Sequence, residues 1–188
     1  EVLAIKPSGI RKFFDLVSEM KDAISLGVGE PDFDTPWHIR EEGIHSLEKG
    51  RTFYSSNAGL MELREEISRK VESQHGISYN AKNEVMITVG GSEAIDLAMR
   101  VILLPGDEVL IPEPCYVSYL PCARMAYGVP VPIPLEEKDE FRLTPEKLEA
   151  AITEKSKLLI LPFPNNPTGS IMEKEDLEAI APLILKHN

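Results

Sequence analysis

Apolar positions along this chain follow two alternating rhythms, one helical and one extended. Ile10, Phe13, Phe14, Val17 and Met20 recur at helical spacing, with Ser8 placed to cap the helix they predict. Residues 23–27 (AISLG) form a short extended run that ends in a glycine-rich turn. Thr35-Pro36 reads as an N-cap followed by a first-turn proline, opening a helix through Ile44 and Leu47 that stops at Gly50. After the turn-rich YSSNAG (54–59), Leu60, Leu63, Ile67 and Val71 mark an amphipathic helix ending at Gly76.

From residue 84 the alternation is regular. EVMITVG (84–90) predicts a buried strand and 92–104 a helix; 107–112 predicts a strand, and 115–128 a helix broken or kinked near Pro121. VPVPIPL (129–135) is extended, and its prolines argue for an edge strand or a short one. Thr144-Pro145 opens a further helix through Leu148 and Ile152, and 157–163 is an unbroken apolar run of strand length. NPTG is a turn; Ser170 and Glu173 have capping-box spacing before a helix carrying Leu177, Ile180 and Leu183. Apolar strands separated by helices indicate parallel strand–helix–strand units with helices on both faces of the sheet. In such α/β sheets ligands sit beyond the carboxyl ends of the strands.

Composition narrows the class. The 188 residues are 43% apolar and 27% charged, which describes a soluble globular protein. A net charge of −11 without a dense Lys/Arg cluster argues against nucleic acid as a partner. No apolar run approaches the ~20 residues that span a bilayer. Cys115 and Cys122 form neither a disulfide framework nor a metal spacing, and suggest reduced thiols in a cytoplasmic protein. His38, His45, His75 and His187 are scattered, so no metal site is expected. The N-terminus has no signal-peptide core and no starting Met, which suggests that residues have been removed.

Five strings carry candidate chemistry. In TVGGSEAI (88–95) a strand ends in two glycines and a serine as a helix begins. Helix N-terminal N–H groups and the positive end of the dipole suit a phosphate, and Ser92 can cap the helix as well as donate its hydroxyl. The plain alternative is a tight turn with a serine cap; the spacing is not that of a Walker loop, and Glu93 is an odd neighbour for an anion. PFPNNPTG (162–169) places an Asn amide, both donor and acceptor, at a strand's carboxyl end. SLGVGEPDFDTP (25–36) is a linking loop, or a place where the Gly29 N–H meets a small carboxylate. EPCYVSY (113–119) puts Tyr116 just past a strand, either as a core tyrosine or as a face for a planar ring. RTFYSSNAG (51–59) is a loop containing Tyr54.

Together, GEPDF-TP, Y-x-x-x-x-G, VGGSEA, P-x-Y-V-S-Y and NNPTG resemble, in order and spacing, the class I/II aminotransferases, the fold-type-I enzymes that use pyridoxal 5'-phosphate (PLP). The aspartate and aromatic aminotransferase branch of prokaryotes is the most similar. The resemblance implies an α/β PLP-dependent transferase fold, three-layered, with a mainly parallel sheet and flanking helices. Residues 1–30 would be an N-terminal arm and link, and 31–188 an incomplete PLP-binding large domain. It implies cofactor roles for Gly91 and Ser92 in a phosphate cup, for Tyr116 stacked on the pyridine ring, and for Asn166 on the ring hydroxyl and the substrate carboxylate. It gives Gly29 the substrate carboxylate, and Tyr54 the phosphate of the partner subunit in a homodimer.

The family's Schiff-base lysine has no counterpart here, nor do the Asp facing the pyridine nitrogen and the arginine that clamps the substrate; the chain resembles an N-terminal half. The expected activity is amino-group exchange between an L-amino acid, aspartate or aromatic, and a 2-oxo acid. The isolated chain is expected to be inactive, with no catalytic residue of its own. Two rivals stand beside this expectation: a PLP lyase or synthase on the same scaffold, and a non-catalytic aminotransferase-like module.

Overall fold

A computed structural model describes residues 31–187 without interruption, together with residues 5, 9, 16, 20, 22, 24 and 29. The predicted helix from Ile10 to Met20, the extended run 23–27 and the arm boundary near residue 30 lie outside the described residues. The chain divides into two compact units between Thr88 and Val89.

Among the described residues the first unit carries two helices, α1 (Trp37–Glu48) and α2 (Met61–His75). Pro36 is the N-cap of α1 rather than its first helical residue, and its carbonyl accepts from Ile39 and Arg40. α2 ends as expected at Gly76, which adopts the left-handed conformation (φ 68°) and donates its N–H to the Glu72 carbonyl. The loop before α2 closes at Gly59, whose φ of 91° favours glycine. The Ile87 N–H donates across to the neighbouring Ala58 carbonyl. Arg64, almost fully buried, holds the Lys82 carbonyl at 3.2 Å.

Residues 84–90 do not form the predicted strand. An apolar run becomes a strand only when a neighbour supplies the ladder, and no described strand runs beside this one. Met86 and Val89 are accordingly exposed.

The second unit is a three-layer α/β body. β1 (Glu108–Glu113) lies at the centre of a parallel sheet, with β2 (Val129–Pro134) on one side and β3 (Ser156–Leu159) on the other. β1 is buried along four consecutive residues, as expected of a strand covered on both faces. Val109 and Ile111 pack with Met99, Leu103, Cys122 and Ala123 on one face. Leu110 packs with Ile133, Leu143, Leu148 and Ile180 on the other. α3 (Gly91–Ile102) and α4 (Tyr119–Met125) cover the first face, and α5 (Pro145–Ala151) and α6 (Lys174–Lys186) the second.

The prolines of β2 explain its edge position. The Val129 and Leu135 N–H groups donate to β1-side carbonyls of Asp107 and Glu113, so odd-numbered residues face the sheet. Pro130, Pro132 and Pro134 therefore turn their nitrogens outward, and that rim offers none of the three donors that an added strand would use.

Three expectations change in detail. α4 begins at Tyr119, which puts Pro121 in its first turn, where the missing N–H breaks no intrahelical bond; the helix is short, not kinked. β3 stops at Leu159 rather than continuing to residue 163, although the Ile160 N–H still reaches the Leu110 carbonyl. The capping box of α6 is Glu173 with Asp176, not Ser170 with Glu173, because Ser170 is engaged in the preceding turn. Thr144 caps α5, with Pro145 as its first helical residue, as the sequence suggests.

Candidate functional site

Three chain segments meet at the carboxyl end of the sheet. The first is the N-terminus of α3. Gly90 is its N-cap, with φ 84° and ψ 166°, a conformation only glycine adopts without strain. The N–H groups of Gly91, Ser92 and Glu93 belong to the first turn and have no intrahelical acceptor. A Cβ added at Gly91 would meet nothing within 4 Å, so the backbone there faces open space. Ser92 does not cap the helix, since it stands one turn position inside it. Glu93 folds back to accept from the Val89 N–H, which takes its carboxylate into a local backbone bond.

The second segment follows β1. Tyr116 Oη lies 3.1 Å from Ser92 Oγ, and Ser118 Oγ lies 3.3 Å from the same atom. Three hydroxyls thus gather beside the first turn of α3. Hydrogen bonds from Ser118 first, and Ser92 second, lower the Tyr116 phenol below its usual pKa. The Tyr119 ring stands edge-on to Tyr116, with centroids 5.6 Å apart and an interplanar angle of 77°. Burial, with Glu113 nearby, pushes the Cys115 thiol up to about 11, so it stays protonated and unreactive near neutral pH.

The third segment follows β3 and carries Asn166. Gly91, Ser92, Tyr116, Phe163 and Asn166 line one open cavity of about 640 Å³, a size typical of small-molecule sites. Four of the six residues singled out in the sequence therefore share a cavity. The other two, Gly29 and Tyr54, are exposed residues of the first unit, Tyr54 fully so. Sequence reasoning passed over Ser118, whose only signal is its place two residues after Tyr116, and over Asn165, which looks like a duplicate of its neighbour. Among the described residues no cluster of His, Cys, Asp or Glu could hold a metal ion, and no helix is long and apolar enough to cross a membrane.

An open, glycine-walled helix N-terminus surrounded by hydroxyls can hold an anion. The tyrosine ring and the amide beyond it can position a planar polar group next to that anion.

Comparison with known proteins gives the family of this chain. The pattern of the family described as aminotransferase class I and II matches residues 21–188. An aspartate aminotransferase of Pyrococcus abyssi is 47% identical over 184 residues, covering 98% of this chain and 47% of the relative. The aromatic-amino-acid aminotransferase 2 of Thermococcus litoralis is 46% identical, with coverage of 98% and 47%. Among solved structures, the aspartate aminotransferase from Thermus thermophilus with maleate superimposes with a TM-score of 0.89 at 39% identity, covering all of this chain and 50% of that one. The chain spans about half the length of these relatives. With the family pattern over most of its length and its superposition on a solved aminotransferase in agreement, this chain belongs to the aminotransferase class I and II family.

Proposed function

We propose that these residues form the cofactor grip of a PLP-dependent transaminase, which exchanges an amino group between an L-amino acid and a 2-oxo acid in a ping-pong cycle. The observation that carries this reading is the convergence of the α3 N-terminus, the Ser92 and Tyr116 side chains and Asn166 on one cavity, with Ser118 Oγ 3.3 Å from Ser92 Oγ. The fit to PLP is chemical. A phosphate finds backbone N–H groups at Gly91 and Ser92, the Ser92 hydroxyl and the positive helix end. The lining holds no carboxylate to repel it. The Tyr116 ring covers one face of a planar group, and the Asn166 amide orients the ring hydroxyl and the substrate carboxylate. Gly29 offers an N–H to that carboxylate, and Tyr54 serves the phosphate site of the partner in a homodimer. Residues 1–30 act as an arm and link, and 31–188 as part of the large domain.

PLP, when bound, supplies the electron sink for charge that develops at the substrate's α-carbon. The residues of this chain bind and orient; none of the cavity-lining residues is a lysine that could move the α-proton. The names of the relatives favour aspartate or an aromatic amino acid as donor, and the protein is assigned to the cytoplasm.

The test uses protein expressed from the full reading frame, with aspartate or an aromatic amino acid as donor and 2-oxoglutarate as acceptor. PLP-dependent glutamate formation is the expected result. Ammonia release without an acceptor would overturn the reading in favour of a lyase. The 188-residue chain alone is expected to give no turnover, and robust glutamate formation from it would contradict the positioning-only role of these residues.

A further inference from the structure

Asn165 stands next to Asn166 in sequence but is 5% exposed and does not line the cavity. Its side chain makes the connection that the cavity needs. Asn165 Nδ2 donates to the Pro114 carbonyl at 2.9 Å, across 51 positions of sequence, and to Thr168 Oγ1 at 3.0 Å. Pro114 follows the last residue of β1 and lies two residues before Tyr116. A carbonyl can only accept, so the direction of the amide is set by its partner. The main chain of the same residue is held as well: the Asn165 N–H donates to the Ser170 carbonyl and the Gly169 N–H donates to the Asn165 carbonyl, each at 2.8 Å. Thr168 Oγ1 also receives the Ser170 N–H at 3.2 Å, closing the turn on itself.

We propose that Asn165 is a positioning residue: its buried amide ties the loop after β3 to the loop after β1 and thereby sets Asn166 and Tyr116 at one spacing on the cavity wall. The assignment rests on the reading of the cavity as a PLP site. Stability alone does not account for this amide, because its Oδ1 is buried without a hydrogen-bond partner among the described residues, and a stranded buried acceptor is unfavourable. Without the amide the two loops keep their backbone turn bonds but lose the side-chain bond that ties them, together with the bond to Thr168. Their functional groups can then drift apart, and a displacement of about 1 Å in a positioned site can slow a reaction up to roughly a hundredfold.

The experiment uses full-reading-frame protein carrying Asn165→Ala, Asn165→Asp or Thr168→Val. The aspartate variant keeps the volume but loses both donated bonds. The valine variant disturbs the turn and leaves the Pro114 bond intact. Each is titrated with PLP, and the visible circular dichroism of bound PLP is recorded as a signature of ring orientation. Both Asn165 variants are expected to weaken the PLP dissociation constant by roughly tenfold and to diminish the dichroism band. Thr168→Val is expected to lower the melting temperature with the band preserved. If Asn165→Ala does not fold, Asn165→Asp gives the same reading. Asn165 variants that bind PLP with unchanged affinity and an unchanged band would overturn the assignment while leaving the cofactor reading intact. Wild-type protein that binds no PLP would instead overturn the cofactor reading and this assignment with it.

Discussion

Replacing Ser92 with alanine isolates the hydroxyl at the centre of the site. Among the described residues that hydroxyl is hydrogen-bonded to Tyr116 Oη at 3.1 Å and Ser118 Oγ at 3.3 Å, both at the exposed surface. Water can replace it for both partners, so the cost to the fold should stay within about 0.5 kcal/mol, as for ordinary surface substitutions. Bound phosphate changes the balance, since a hydrogen bond to a charged group contributes about 1.5–3 kcal/mol. Losing it converts to roughly a ten- to hundredfold weaker PLP dissociation constant, with the backbone N–H groups of Gly91 and Ser92 retaining the rest of the affinity. Titration of apoprotein with PLP, followed by absorbance and repeated with inorganic phosphate as competitor, measures this directly. The Tyr116 phenol should also titrate higher in Ser92→Ala, and higher still in Ser118→Ala, because Ser118 is the larger cause of its lowered pKa. A PLP affinity within twofold of wild type, with an unchanged melting temperature, would refute the placement of phosphate at this turn.

Two further outcomes concern stability. Gly59→Ala places a methyl 2.5 Å from Ile87 Cγ1 and 2.6 Å from Ile87 Cβ, at a φ of +91°. Strain of about 1–2 kcal/mol from the left-handed backbone and about 1–3 kcal/mol from overpacking predict a clear loss in denaturant unfolding; a midpoint equal to wild type would disprove this contact. Lys138 first, and Lys147 second, hold the Glu136 carboxyl at about 2, below its ordinary 4.5. A depressed folded value means that its contribution is present above pH 4.5 and is lost as pH falls toward 2. Melting temperatures across that window should fall more steeply for wild type than for Glu136→Gln, and parallel curves would show that the ion cluster with Lys147 and Asp139 adds nothing.

Local chemistry in the sequence determined much of this molecule. Thr144-Pro145 opens its helix as read, a β-region cap followed by a fixed φ, whereas the same pair at Thr35-Pro36 starts its helix one residue later, with Pro36 as the N-cap. Alternating prolines suggested an edge strand or a short one, and among the described strands β2 lies at the edge, since a strand lacking every second donor pairs poorly on both sides. Glycine and serine at the start of α3, and NNPTG after β3, left a plain turn open when read locally; their resemblance to the family's strings is what pointed to Gly91, Ser92 and Asn166, which line the cavity. Long-range partners decided the rest. Residues 84–90 have the apolar content of a strand, yet no described neighbour offers a ladder. Whether Ser170 or Glu173 caps α6 depended on Ser170 being held by Thr168 and reaching the Phe141 carbonyl. Asn165 and Asn166 are identical letters in sequence. Only the approach of Pro114 from another strand buries one amide as a tie between loops and leaves the other facing the cavity, because a hydrogen bond across 51 positions exists only once the sheet has brought its ends together.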